Sequence, residues 1–220
     1  MDLEAVWEMR ETQVYPDLFG PKSRGIFALS PQLFAERFRQ GDIDPRWITH
    51  GVFEFAPTPE RASWLYVTSG LSNPWEQEPE DWDPAGPSGA GVEFVLQVTR
   101  PGDWAVRMLQ NMLAFELLLR AGRYPKGAPL APDDRIPLRE PLDGRPACRI
   151  RHLVVTQAEG VAPGFALPSG QVRLLGFTGL TDDELAFAQH NGSPALIERL
   201  RRAGFHPVTD PVRPSLIRRT

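Results

Sequence analysis

The stretch GVEFVLQVTRPGDWAVRMLQNMLAFELLLRAG, residues 91–122, joins a strand pattern to a helix pattern and decides the class of fold. In its first part apolar and polar side chains alternate, which predicts a half-buried strand with one interruption at Val95. From Asp103, the predicted cap, apolar side chains recur at helical spacing until Gly122 stops the helix. The apolar stripe of this helix is so wide that we expect other elements to cover it on more than one side.

The other predicted helices and strands are grouped along the chain rather than strictly alternating. Three further helices are predicted from an N-terminal cap and a glycine stop, at residues 30–41, 181–192 and 193–204. Four further strands are predicted, at residues 47–55, 64–70, 149–157 and 171–180. This grouping predicts an α+β fold, in which one domain over residues 1–220 has a mixed, largely antiparallel sheet flanked by helices.

Composition excludes several classes of protein. The chain has 220 residues and a net charge of -4, without the basic footprint that nucleic-acid binding needs. Its single cysteine, Cys148, excludes a disulfide framework and a cysteine-rich zinc site, and we expect this cysteine to be buried. No signal peptide or membrane-spanning run of ~20 apolar residues is present, so we expect a cytoplasmic protein without a membrane partner. No motif indicates a metal or another cofactor.

A candidate nucleophile lies in WLYVTSGLSNPW, residues 64–75, where a strand pattern breaks into a turn. A hydrolase elbow needs Gly-x-Ser-x-Gly between a strand and an immediately following helix. Gly70 and Ser72 match this motif, but Pro74 occupies the place of the second glycine and no helix pattern follows. A serine hydrolase that uses Ser72 and a histidine is therefore the alternative to the leading interpretation.

The segment WEQEPEDWDPAGPSG, residues 75–89, combines acidic and aromatic side chains. Five carboxylates lie within residues 76–83, and Trp75 and Trp82 stand at the borders of this run. Aromatic side chains beside charged ones are typical of protein interfaces. An extended partner segment with basic or histidine side chains would find complementary charge here. The segment is therefore predicted to be part of a protein-docking surface.

Several stretches, taken in order along the chain, resemble the Suppressor of fused domain family. They are WLYVTSGLS (64–72), GPSGAGVEFVLQVTR (86–100), MLQNMLAFELLL (108–119), PLDG (141–144), IRHLVVTQAEGV (150–161), LPSGQVRLLGFTGLTDDELAFAQHNGSPALIERLRRAG (167–204) and VTD (208–210). The resemblance is strongest over residues 60–210. It implies a mixed α/β domain that is similar to the N-terminal domain of the family and has no catalytic centre.

The resemblance implies protein binding as the function. Animal members look like adaptors that hold Gli transcription factors, whereas bacterial stand-alone members similar to this chain are associated with toxin–immunity systems. The leading hypothesis is a non-enzymatic domain that sequesters or neutralises a partner protein, such as an immunity protein of a bacterial toxin system. A structural subunit of a larger assembly is a third possibility. By motif position the resemblance adds Tyr66 and Glu93 to the site, so the predicted partner-binding residues are Tyr66, Ser69, Trp75, Glu78, Asp81, Trp82 and Glu93.

Overall fold

A mixed sheet forms the centre of the computed structural model, which describes residues 2–217. Along the sheet the strand order is β1-β2-β3-β4-β8-β6-β5, while β7 pairs with β8 and β9 with β4. Only β4–β8 and β4–β9 are parallel among the described pairings, which confirms a mixed and largely antiparallel sheet. The strands are β1 Lys22–Ala28, β2 Gly51–Phe55, β3 Trp64–Ser69, β4 Pro87–Val98, β5 Arg135–Pro137, β6 Ile150–Gln157, β7 Gly164–Leu167, β8 Gly170–Thr181 and β9 Val208–Thr209.

Helices lie on both faces of this sheet. The α-helices are α1 Leu3–Met9, α2 Tyr15–Phe19, α3 Pro31–Leu33, α4 Asp103–Arg120, α5 Asp182–Asn191 and α6 Ser193–Arg202. The π-helical turn Arg10–Val14 joins α1 to α2, and a second π-helical turn, Phe34–Phe38, continues α3. Short 3-10 helices occupy Pro45–Thr49 and Pro79–Asp81. No described helix is both long and apolar enough to cross a lipid bilayer.

The two faces of β4 explain why the strand pattern has an interruption. Phe94 and Leu96 point to the face on which α4 packs, and they belong to the largest apolar cluster of the described residues. Val95 points to the opposite face, where Tyr15 and Phe19 of the N-terminal helices cover the sheet. The prediction that β4 is half-buried is therefore wrong, because a helical segment that the sequence analysis missed covers its second face. The predicted burial of α4 on several sides is confirmed, since eleven of its residues are buried.

Helix ends agree with the sequence in some places and differ in others. Thr181 makes both hydrogen bonds of the predicted capping box with Glu184. Ser30 also caps its helix, but the helical turns end at Phe38 because Arg39 adopts a left-handed conformation with φ 58°, before the predicted Gly41.

Two predicted cap residues lie instead at the first position of their helices. Gly102 is the N-cap of α4, and the Asp103 carboxylate accepts a hydrogen bond from Arg24. Gly192 is the N-cap of α6, and the Ser193 hydroxyl donates to the Asp133 carbonyl.

Candidate functional site

The turn that follows β3 is held from below by a buried carboxylate. Glu93 of β4 is fully buried and accepts hydrogen bonds from the backbone N–H groups of Gly70 and Ser72 at 3.0 and 2.9 Å. It also accepts from the hydroxyls of Ser72 and Thr68 at 2.7 and 2.6 Å. Four donors on one carboxylate compensate for its removal from water, so Glu93 fixes the turn rather than contacting a ligand. Gly70 adopts φ 135°, and a Cβ atom there would lie 2.3 Å from the His50 ring, so the turn requires glycine at this position.

Arg10 supplies the positive charge that Glu93 needs. It lies in the π-helical turn Arg10–Val14, has no exposed surface, and its Nη1 is 3.8 Å from the Glu93 carboxylate. Its guanidinium donates to Ser72 Oγ at 2.9 Å, to the Asn73 side-chain oxygen at 2.6 Å and to Ser69 Oγ at 2.7 Å. This fork of donors ties the N-terminal helices to the turn, because a planar guanidinium holds several acceptors in fixed directions.

The position of Ser72 does not fit the hydrolase alternative. Its side chain is fully buried, and its hydroxyl donates to Glu93 and accepts from Arg10. None of the histidines in the described part of the chain forms a hydrogen bond with it. Nucleophilic serine needs an adjacent base and access to a substrate. Ser72 has no access to a substrate and no histidine partner, so the geometry does not support this alternative and assigns Ser72 to the support of the turn.

His50 is the imidazole that lies nearest to this turn in the fold. It is buried against Gly70, and its Nδ1 lies 3.2 Å from the Arg46 carbonyl. Burial lowers the pKa of His50 to about 4, against an ordinary value of 6.5. The histidine is therefore neutral near pH 7, and its role here is to fill the space beneath the turn.

Tyr66 belongs to a second buried polar group, under the start of α4. Its hydroxyl donates to Glu54 at 2.7 Å and accepts from the Gly102 backbone N–H at 3.1 Å. Arg24 binds the same Glu54 carboxylate through two nitrogens and lowers its pKa. Burial raises the pKa of Tyr66, so this phenol stays protonated and remains a donor.

Three of the predicted partner-binding residues therefore lie inside the fold. Tyr66 and Glu93 have no exposed surface, and Ser69 is 1% exposed. A protein that docks on this surface cannot touch them in this conformation, because their side chains are already packed and hydrogen-bonded. The same holds for the turn at residues 70–74, which is also buried. We correct the expected contact role of these residues to one of support.

The remaining four predicted residues lie together on the segment of residues 75–83, which we call the acidic loop. Glu78 and Asp81 are exposed, and neither makes an ion pair with another described residue. Trp75 is half-buried, with the Arg46 guanidinium 5.7 Å from its ring centre. Trp82 is half-buried against Val6 and its neighbours. The loop therefore presents unpaired carboxylates between two partly exposed tryptophans.

Hydrogen bonds from side chains give the acidic loop a defined shape. The Gln77 side chain accepts from the Gly89 backbone N–H at 2.7 Å and donates to the Pro87 carbonyl at 3.1 Å. Trp82 Nε1 donates to the Gln77 carbonyl at 3.3 Å. Arg46 pairs with Glu76 at 2.6 Å. These contacts connect the loop to β4, to the 3-10 helix Pro45–Thr49 and to itself, so the carboxylates are displayed by an ordered segment.

A groove between α1 and Trp75 extends the acidic surface. Its volume is about 510 Å³, and its lining residues are Leu3, Glu4, Trp7, Glu8, Glu11, Thr12 and Trp75. Glu4 and Glu8 are exposed and one helical turn apart, where like charges repel each other. No arginine or lysine lines the groove. Its chemistry therefore matches a segment that carries apolar and basic side chains.

The N-terminal segment contributes to this site, which was not predicted from the sequence. Val6, Arg10 and Val14 are four residues apart, so Arg10 lies on the otherwise apolar stripe of one helical segment. An arginine in such a stripe is a signal for a buried, hydrogen-bonded cation. Its partners could not be found from the sequence, because they are about sixty residues away. The described residues contain no cluster of His, Cys, Asp and Glu that could hold a metal ion.

These features define an α+β domain in which a buried ionic group supports an exposed acidic loop. The family model described as Suppressor of fused protein matches residues 46–214. Because that match covers well over half of the sequence, the chain belongs to the Suppressor of fused family. No curated protein matches the chain.

Three solved structures resemble the fold. The Drosophila Suppressor of fused structure has a TM-score of 0.56 and 21% identity, and the match covers 76% of this chain but only 42% of that one. A chain in the crystal structure of the Sufu–Fu complex has a TM-score of 0.64 and 22% identity, with 97% and 91% of the two chains covered. A Suppressor of fused homologue from Neisseria gonorrhoeae has a TM-score of 0.58 and 14% identity, with 99% and 96% covered. At these identities the similarity shows the shared fold.

Proposed function

We propose that the chain is a non-enzymatic protein-binding domain that sequesters a partner through the acidic loop and the adjoining groove beside α1. The observation that carries this proposal is the set of exposed, unpaired carboxylates on a loop whose base is fixed by Glu93 and Arg10. A rigid surface loses little conformational entropy when it binds. The Sufu–Fu complex, whose chain has the same fold, supports protein binding as the kind of function.

The partner segment is expected to be basic and partly apolar. Trp75 and Trp7 offer aromatic surface, and carboxylates surround both side chains. Aromatic anchors supply most of the binding energy in such interfaces, whereas exposed charges raise the rate of encounter. A bacterial toxin whose active surface is basic would be neutralised by occlusion, which is the immunity role that we propose as the particular form of this function. We also propose that the chain acts in the cytoplasm.

Affinity purification of the intact chain from its native cell tests this proposal when it is combined with variants of the loop. A partner recovered in stoichiometric amount with the wild-type chain should be lost with Glu78→Lys together with Asp81→Lys. The matched control is Glu36→Lys together with Glu60→Lys, two exposed carboxylates outside the loop that make no described ion pair. Equal recovery with both double variants, or no stoichiometric partner in any growth condition, would contradict the proposal.

The assignment as a non-enzymatic domain has its own test. A fluorophosphonate probe labels serine nucleophiles that are activated by a base. We expect no labelling of the intact chain, since Ser72 is buried and bonded to Glu93. Labelling that disappears in Ser72→Ala would restore the hydrolase alternative.

A further inference from the structure

A separate groove of about 770 Å³ runs along α4. Its other walls are the π-helical turn Phe34–Phe38 and the segment that contains β5. It shares no lining residue with the groove beside α1 or with the smaller cavity between Trp47 and Trp75. The groove is therefore independent of the acidic loop and its proposed partner.

One stripe of α4 forms the floor of this groove. Met108, Asn111, Met112 and Phe115 line it, and their spacing places them on one face over about two helical turns, or roughly 10 Å. The two methionines are unbranched and adapt their shape to a neighbour. Met108 and Met112 are 4% and 6% exposed, so Asn111 and Phe115 supply most of the accessible floor. The length of the groove matches about two turns of an amphipathic helix.

Aromatic and aliphatic side chains form its walls. The Phe38 and Phe115 rings are stacked with centres 6.4 Å apart, and the Tyr124 ring lies 5.6 Å from Phe115. Ile136 and Leu138 line the side formed by the segment around β5. All five side chains are half-buried, so part of their apolar surface faces solvent. Covering this surface would release water and stabilise a complex.

Arginines surround this apolar surface. Arg37, Arg39 and Arg139 line the groove, and Arg107 lines a smaller adjoining cavity that also includes Arg37. Arg37 pairs with Glu140 at 3.3 Å. The other three are exposed and make no ion pair with a described residue. In a chain with a net charge of -4, this rim has the opposite sign to the whole molecule.

We propose that this groove binds an amphipathic helical segment of a partner protein, with an apolar face toward α4 and carboxylates along its borders. The guanidinium groups that line the groove come from two separate parts of the fold, namely the π-helical turn with the residue after it and the segment after β5, and Arg107 of α4 adds a third at the adjoining cavity. Cations spread along a groove match several carboxylates of a polypeptide, whereas the single head group of a small amphiphile needs them at one point. The chain therefore has two docking surfaces of opposite charge.

A labelled model peptide tests this proposal on the intact chain. The peptide has about 14 residues, with leucines at helical spacing and glutamates elsewhere, and the matched peptide has uncharged glutamines in place of the glutamates, so that it has no charge for the acidic loop to attract. Fluorescence anisotropy should show that the acidic peptide binds at least about tenfold more tightly. Arg39→Glu together with Arg139→Glu should remove this preference, and Arg39→Gln together with Arg139→Gln should reduce it. Arg100→Glu together with Arg149→Glu, at two exposed arginines without described ion pairs, should leave it unchanged.

Four results would overturn the proposal. They are equal binding of the two peptides, a preference that survives both pairs of substitutions at Arg39 and Arg139, no binding at about 1 mM peptide, and binding of dodecanoate alone in a manner that depends on Arg39. The last result would assign the groove to a small amphiphilic anion. Circular dichroism must show that each variant is folded. If the variant with two glutamates is unfolded, the variant with two glutamines decides whether the preference depends on Arg39 and Arg139. None of these results depends on the partner of the acidic loop.

Discussion

Arg10 is the single residue on which the acidic surface most depends. Its guanidinium holds three side chains of the turn and lies beside the fully buried Glu93. Arg10→Met would leave that carboxylate without its counter-charge, and removing one partner of a buried ion pair costs about 3–5 kcal/mol. We expect this loss in the free energy of unfolding measured with urea. The control Arg202→Met removes a 77% exposed side chain and should change the free energy by less than about 0.5 kcal/mol. Equal effects of the two variants would show that Arg10 does not support the turn.

His50 makes the stability of the chain depend on pH in a defined direction. Burial lowers the pKa of His50 to about 4, so the unfolded chain binds a proton at this residue before the folded chain does. The contribution of His50 to the free energy of unfolding is therefore fully present above about pH 6.5. It is lost as the pH decreases to about 4, which lowers the free energy by up to about 3 kcal/mol.

His50→Asn removes this contribution, so its free energy of unfolding should depend less steeply on pH across that window than that of the wild-type chain. His190→Asn changes an exposed histidine and serves as the control, with the pH dependence of the wild type. Urea titrations at several pH values measure the difference. Parallel curves for the wild type and His50→Asn would contradict the account.

At the scale of elements, the acidic loop depends on Gln77. The Gln77 side chain bridges the Gly89 backbone N–H and the Pro87 carbonyl, and the backbone carbonyl of Gln77 accepts from Trp82 Nε1. Gln77→Ala removes the bridge, so we expect faster hydrogen exchange over residues 76–86, with exchange in β8 unchanged. Mass spectrometry of the deuterated chain measures both regions. Glu80→Ala changes an exposed neighbour without described side-chain bonds and should leave exchange as in the wild type.

The elements also show what the sequence could predict and why the rest could not be predicted. The capping box at Thr181 and the apolar period of α4 are local, so the sequence alone specified both correctly. The burial of β4 on both faces depends on α2 and the π-helical turn before it, whose pattern is weak because Arg10 interrupts the apolar stripe. Contacts between distant segments determine that burial, and periodicity within one segment carries no information about them.

For the candidate site, the docking role of the acidic loop stays a prediction, whereas the structure changes the expected role of three residues. The acidic loop is exposed as expected for a docking surface. Tyr66, Ser69 and Glu93 lie beneath that surface, because the polar side of a strand can face a buried hydrogen-bond network as well as solvent. Only the partners of Glu93 in the fold distinguish these two cases.

At the scale of the whole molecule, two surfaces of opposite charge lie on one α+β domain. The acidic loop and the groove beside α1 carry unpaired carboxylates, and the groove along α4 carries unpaired arginines. Exposed charges affect the rate of association, and this effect is screened by salt.

We therefore expect the association rate of the partner captured by the acidic loop to fall as the salt concentration rises, with a smaller change in the dissociation rate. Surface plasmon resonance measures both rates. An association rate that does not depend on salt would show that charge does not steer this encounter.

The central claim is that the acidic loop is the face on which a protein docks. Hydrogen exchange of the intact chain, measured with and without the captured partner, tests this claim most directly. The account predicts slower exchange over residues 75–83 and in α1 when the partner is bound, with the interior of the sheet unchanged. Unchanged exchange in the acidic loop of a saturated complex, with protection elsewhere on the chain, would contradict it.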